Sequence, residues 1–110
     1  MEVITRELVM LETPNGKIPF EEWFNSIRNR TFQNAIDARL TRIADGNFGD
    51  HKSVGEGVFE LRIPKGQGLR VYYGLDGPHI VVLIGGGDKS SQNKDIRKAH
   101  VLWREYLNAK

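Results

Sequence analysis

Apolar and polar positions along this 110-residue chain follow a helical period early and a period of two later. Residues 2–11 are mostly apolar or β-branched and predict a first strand. Thr13, Pro14, Asn15 and Gly16 form a turn cluster that ends it. Pro19 suits the first turn of a helix, where its missing N–H would be unpaired anyway. Glu21 and Glu22 follow, where negative charge favours the helix dipole. Phe20, Trp23, Phe24 and Ile27 fall at helical spacing. A second helix is predicted over about 31–45. Its stripe is Phe32, Ile36, Leu40 and Ile43, with Asp37, Arg39 and Arg42 off it. Gly46 suits its C-terminal cap. The short connection predicts a helical hairpin.

Residues 46–57 are polar and glycine-rich and read as a loop. Beyond them Phe59, Leu61 and Ile63 share one face of a strand, and Glu60 and Arg62 the other. Residues 64–68 form a turn. In the next strand Leu69, Val71 and Tyr73 point inward, and Arg70 and Tyr72 outward. Asp76-Gly77 signals a hairpin. Residues 80–84 are apolar without alternation, which predicts a strand covered on both faces. Gly85, Gly86 and Gly87 are expected to end it. A last helix is predicted from about 91 to 107, capped by Ser90 or Ser91. Its stripe is Ile96, Ala99, Trp103 and Leu107. Lys94, Arg97, Lys98 and Arg104 lie elsewhere. The order β-α-α-β-β-β-α predicts an α+β fold: a small, mostly antiparallel sheet, a helical hairpin and a C-terminal helix.

The length fits one domain over 1–110. The chain has no cysteine, so it carries no disulfide and no thiolate metal site. This fits a reducing cytoplasm. The N-terminus lacks the basic start and apolar run of a signal peptide. No run approaches ~18 apolar residues, so no membrane span is expected. The net charge is +2 and unevenly spread. Residues 1–50 hold 6 basic and 8 acidic side chains, and residues 51–110 hold 10 and 6. A basic second half fits a partner that carries phosphates, though charge alone favours a mixed solvated surface.

The polar face of the 58–73 hairpin brings Arg62, Arg70 and Tyr72 to one side. Two neighbouring guanidiniums repel unless an anion joins them, and arginine can grip a phosphate through two hydrogen bonds. The alternative is that Arg62 pairs with Glu60 or a helix carboxylate and only solvates the sheet. Gly85 to Ser91 reads as a glycine-rich turn into a helix, where backbone amides suit an anion. It matches neither the nucleotide P-loop nor the dinucleotide fingerprint. The glycines also serve a sharp turn with serine caps. His51, His79 and His100 are scattered, so no metal site is expected. Trp23 and Trp103 are expected in the core.

Several motifs together resemble a known family. They are Val58-Phe59-Glu60-Leu61-Arg62, Gly68-Leu69-Arg70-Val71-Tyr72-Tyr73, and Gly86-Gly87-Asp88-Lys89-Ser90-Ser91-Gln92 with Asp95-Ile96. They are similar to the RelE/ParE toxin superfamily, closest to its HigB-like, phage-derived addiction module killer branch. The similarity is densest over 57–99.

The resemblance implies the toxin of a type II toxin–antitoxin pair. It implies an endoribonuclease that cuts mRNA in the ribosomal A site and needs no cofactor. The implied partners are the ribosome, mRNA and a HigA-like helix-turn-helix antitoxin. The implied reaction is attack of a ribose 2′-OH on the adjacent phosphate, which needs charge stabilisation, a base and an acid. Arg70 matches the family's phosphate-stabilising arginine, Arg62 the basic position of the preceding strand, and Lys89 the basic residue after the last strand. Lys65, Lys94 and Lys98 are candidate RNA contacts. Glu60 stands where RelE proper has a catalytic lysine, and the last helix has no tyrosine in its early turns. Glu60 as base, with Lys89 or Tyr72 as acid, is the resulting expectation. Poisoning of DNA gyrase, as in ParE-like relatives, and a non-enzymatic RNA- or protein-binding role stay open beside it.

Overall fold

A computed structural model describes residues 4–110. The elements run β1 (Glu7–Met10), α1 (Pro19–Ser26), α2 (Arg30–Ala44), β2 (His51–Ser53), β3 (Val58–Ile63), β4 (Leu69–Asp76), β5 (Ile80–Gly87) and α3 (Gln92–Asn108). A 3-10 turn, Lys89–Ser91, leads into α3. The sheet order is β1-β5-β4-β3-β2. β1 pairs parallel with β5, and every other pairing is antiparallel. The expected α+β fold with a mostly antiparallel sheet and a C-terminal helix is present. The first strand is shorter than expected, and residues 2 and 3 of that expectation lie outside the described residues.

Both faces of the sheet are covered. On one, α1 and α2 bury Phe20, Ile36, Leu40 and Ile43 against Leu61, Ile63, Val71, Tyr73 and Leu83. On the other, α3 buries Ala99 and Trp103 against Val58, Tyr72, Val82 and Ile84. The apolar run of β5 is therefore buried on both sides, as expected.

Four local expectations are corrected. First, the helical pair spreads over the sheet: α1 packs chiefly on β5 and α2 on β1 and β3, because both apolar stripes face strands. Second, the 46–57 loop contains β2, a short edge strand with all three residues exposed. It pairs His51 with Leu61 and Ser53 with Phe59, a relation no periodicity reveals. Third, the glycines lie within β5 instead of ending it. A side chain on Gly86 would collide with Trp23, and one on Gly87 with Asp95 and Ser91. At Gly86 and Gly87 glycine is required because helical residues approach the strand there. Fourth, Ser91 starts α3 without a side-chain cap, and Leu107 is exposed at 45%. The capping bond belongs to Asp88, whose Oδ1 accepts from the Ser90 amide at 2.9 Å.

Candidate functional site: a basic strand pair over a buried carboxyl

Arg62 and Arg70 are directly opposed across β3 and β4, and Glu60 is opposed to Tyr72. Continuing across the sheet, Arg70 pairs with Gly87 and Tyr72 with Gly85. A register shift between Tyr72 and Tyr73 marks a β-bulge in the β4–β5 ladder. With no side chain on β5 at Gly87, Ser91 and Asp95 at the start of α3 settle close to the sheet. Polar residues of the helix then meet the strand residues.

The expected open polar face is therefore partly roofed. Tyr72 is buried, which corrects the expectation that it points outward to solvent. The physical reason is that α3 covers this face. Glu60 is 0% exposed. Its Oε2 accepts from Gln92 Nε2 at 2.9 Å and from the Tyr72 hydroxyl at 3.4 Å. Arg70 approaches the same oxygen through Nε at 4.0 Å, with its side chain 13% exposed. Glu60 Oε1 and Arg70 Nε are both buried without a hydrogen-bond partner. Burial, and then Glu60, push the Tyr72 hydroxyl well above its ordinary range. It stays protonated and donates to the carboxyl. Ser91 Oγ donates to Asp95 Oδ2 at 2.5 Å beside this cluster.

Arg62 is the more accessible arginine. It pairs with Asp50 at 2.8 Å, with the two side chains 39% and 57% exposed. The pair does not involve Glu60 or a helix carboxylate. Arg39 holds the Asp50 loop in place. Its Nη1 donates to the Arg62 carbonyl at 2.6 Å, and its Nη2 to the Phe48 and Asp50 carbonyls at 3.1 and 3.3 Å. Burial lowers the pKa of Arg39 from its ordinary value.

Lys65 and Lys89 lie at the same end of the sheet as the arginines. Lys65 is in the β3–β4 turn, and the Lys89 amide donates to the Gln67 carbonyl in that turn at 3.3 Å. Both lysines are exposed. Lys94 and Lys98 are exposed on α3. Lys98 borders a different feature, a cleft of about 760 Å³ between the 13–19 segment, β5 and α3. Trp23, Tyr72, Gly85 and Asp95 also line it. The structure thus groups Arg62, Arg70, Lys65 and Lys89 at one end, sets Glu60 and Tyr72 beneath, and places Lys98 beside the cleft.

Reading of the sequence assigned no site role to Asp50, Arg39, Gln92 or Asp95, although Gln92 and Asp95 stand within the toxin-like motif. Gln92 and Asp95 share a helical stripe with Ile96 and Ala99, and polar residues on a buried stripe are the signal that could have found them. Asp50 and Arg39 gave no such signal, because their partners are distant in sequence. His100 Nε2 lies 2.9 Å from the Val54 carbonyl, which is a packing role. Among the described residues no three His, Cys, Asp or Glu side chains are grouped to hold a metal ion. No described helix is long and apolar enough to cross a membrane.

The fold and this site define an α+β protein with a cationic sheet end above a buried carboxyl. A Haemophilus influenzae protein that is uncharacterized is 47% identical over 88 residues, spanning 80% of this chain and 89% of its own length. The chain belongs to the same family as that protein. No protein-family model matches the chain.

Proposed function

We propose that this chain is the toxin of a type II toxin–antitoxin pair, an endoribonuclease of RelE/HigB type that cuts mRNA on ribosomes in the cytoplasm and is neutralised by a helix-turn-helix antitoxin. The observation that carries the reading is the opposed pair Arg62 and Arg70, with Lys65 and Lys89 at the same end of the sheet. Like charges collected from two strands, a turn and the entry to α3 favour a polyanion. Among the described residues no carboxylate lies closer to Arg70 than 4.0 Å, which leaves its charge for a phosphate. The resemblance of residues 57–99 to the toxin motifs supplies the reaction: the 2′-OH attacks the adjacent phosphorus, and the products are a cyclic phosphate and a 5′-OH.

One observation favours a second reading. Glu60 and Tyr72, two of the expected acid–base candidates, do not reach solvent. A cationic surface without an exposed base suits a module that holds RNA without cutting it.

Induction of the chain in a bacterial host, followed by primer extension on cellular mRNA, tests the proposal. The expected result is growth arrest with translation-dependent cuts. Both should be lost in the folded Arg62→Ala/Arg70→Ala variant and suppressed by a co-expressed helix-turn-helix antitoxin. Normal growth overturns it. Arrest with an SOS response and intact mRNA points to gyrase, and RNA binding without cuts points to the second reading.

A further inference from the structure

We infer that Glu60 is a positioning residue for Arg70, and that its buried carboxyl sets the direction in which the Arg70 guanidinium faces RNA phosphate. The inference rests on the proposal that Arg70 meets RNA. Glu60 is fully buried, so it cannot touch a substrate in this conformation. Its Oε2 is already held by Gln92 and Tyr72, which fixes the carboxyl in place. The raised proton affinity of the Tyr72 hydroxyl keeps it a donor to that oxygen.

Arg70 presents its Nε edge to this fixed group at 4.0 Å, and Nε is buried with no hydrogen-bond partner. The attraction is thus Coulombic and not a made hydrogen bond, and it is least screened where water is excluded. Of the Arg70 nitrogens, Nε alone is buried without a partner, so the terminal nitrogens are the part of the guanidinium left toward an anion. Those nitrogens form the fork that suits a phosphate. Glu60 also links Arg70 to α3, because Gln92 is the first residue of that helix. Seating of the helix and aim of the arginine therefore depend on one carboxyl.

The test uses the full chain labelled with ¹⁵N-arginine, together with a fluorescent RNA oligonucleotide whose 2′-OH groups are blocked. Arg70→Ala assigns the Arg70 Nε–Hε signal by its disappearance. In Glu60→Gln that signal is expected to move toward the position of a solvated arginine. RNA affinity is expected to fall about tenfold, the loss of one charge-assisted contact. Arg70→Ala should fall by the same factor, and the double variant no further. The direction is diagnostic. Removing a negative charge without a positioning effect would tighten binding to a polyanion. Gln92→Ala keeps every charge and is the second variant if Glu60→Gln does not fold, with the same direction expected. A folded Glu60→Gln protein with an unmoved Arg70 signal, or with equal or tighter RNA binding, overturns the inference. If the signal moves but the wild-type chain binds no RNA, the Glu60–Arg70 linkage stands and the RNA reading falls.

Discussion

Arg62 and Arg70 are directly opposed on neighbouring strands, yet they answer to different carboxyl groups. Arg62 pairs with exposed Asp50 at 2.8 Å, while Arg70 faces buried Glu60 at 4.0 Å. The two arginines are therefore held in unlike ways. One sits in an exposed pair that ions and water screen, the other beside a carboxyl that neither reaches.

The exposed pair should matter little for folding. Asp50→Asn is expected to change stability by under about 1 kcal/mol, measured by urea denaturation. The same change frees Arg62 and removes a competing anion. RNA affinity should rise in a fluorescence anisotropy titration, and a fall would show that Arg62 does not face the ligand.

The glycines of the sheet give a sharper contrast. A Cβ on Gly74 would lie 2.6 Å from the Trp103 ring, and one on Gly86 would meet Trp23. Gly74→Ala and Gly86→Ala should each cost about 1–3 kcal/mol through overpacking. Gly85 has nothing within 4 Å of that position. Gly85→Ala should stay within about 1 kcal/mol of wild type, since only local backbone preferences change. Equal losses at all three positions in chemical denaturation would show that the helices do not approach β4 and β5 as described.

Two residues of the predicted α3 stripe should part company. Trp103 is buried, so Trp103→Ala should cost about 3–5 kcal/mol. Leu107 is exposed, and Leu107→Ala should be within about 0.5 kcal/mol of wild type. Thermal denaturation of both variants separates the sequence stripe from the observed packing.

Acid stability should depend on the far end of the sheet. Hydrogen bonds from Lys110 and Tyr106 hold the Asp76 carboxyl below its ordinary value. A depressed folded-state pKa gives stability that is present above the unfolded value and lost as pH falls through the folded one. The loss should begin below about pH 4, where an unfolded aspartate titrates. In Tyr106→Phe, a plot of melting temperature against pH should be flatter in that range. An unchanged slope would show that the hydroxyl does not hold Asp76.

Alkali should act through the buried tyrosine. Burial and Glu60 raise the Tyr72 pKa, so the unfolded chain gives up this proton first. Stability is fully present below about pH 10, the unfolded value, and falls as pH rises further. Tyr72→Phe should flatten the decline above pH 10 while Tyr73, also raised by burial, keeps part of it. A decline as steep as that of wild type would place Tyr72 in water.

Much of the architecture was legible in the chain itself. Helical spacing at Phe20, Trp23 and Phe24 and at Ile36, Leu40 and Ile43 marks α1 and α2, and each stripe does meet the core. Alternation at Leu61 and Ile63 and at Leu69, Val71 and Tyr73 marks β3 and β4 and their shared face. The unbroken apolar run at Val81 to Ile84 announced a strand with cover on both sides. Such patterns are local, because side chains repeat along an element with a fixed period.

The same alternation placed Glu60, Arg62, Arg70 and Tyr72 together, and this grouping is present. Their surroundings were decided by the tertiary structure. Period states which residues share a face but not what lies over it. Only the approach of α3, permitted by glycines that have no side chain to reveal a neighbour, buries Glu60 and Tyr72 and leaves Arg62 half exposed. Asp50, Arg39 and Gln92 join the site through contacts between residues more than ten positions apart, which no local rule encodes.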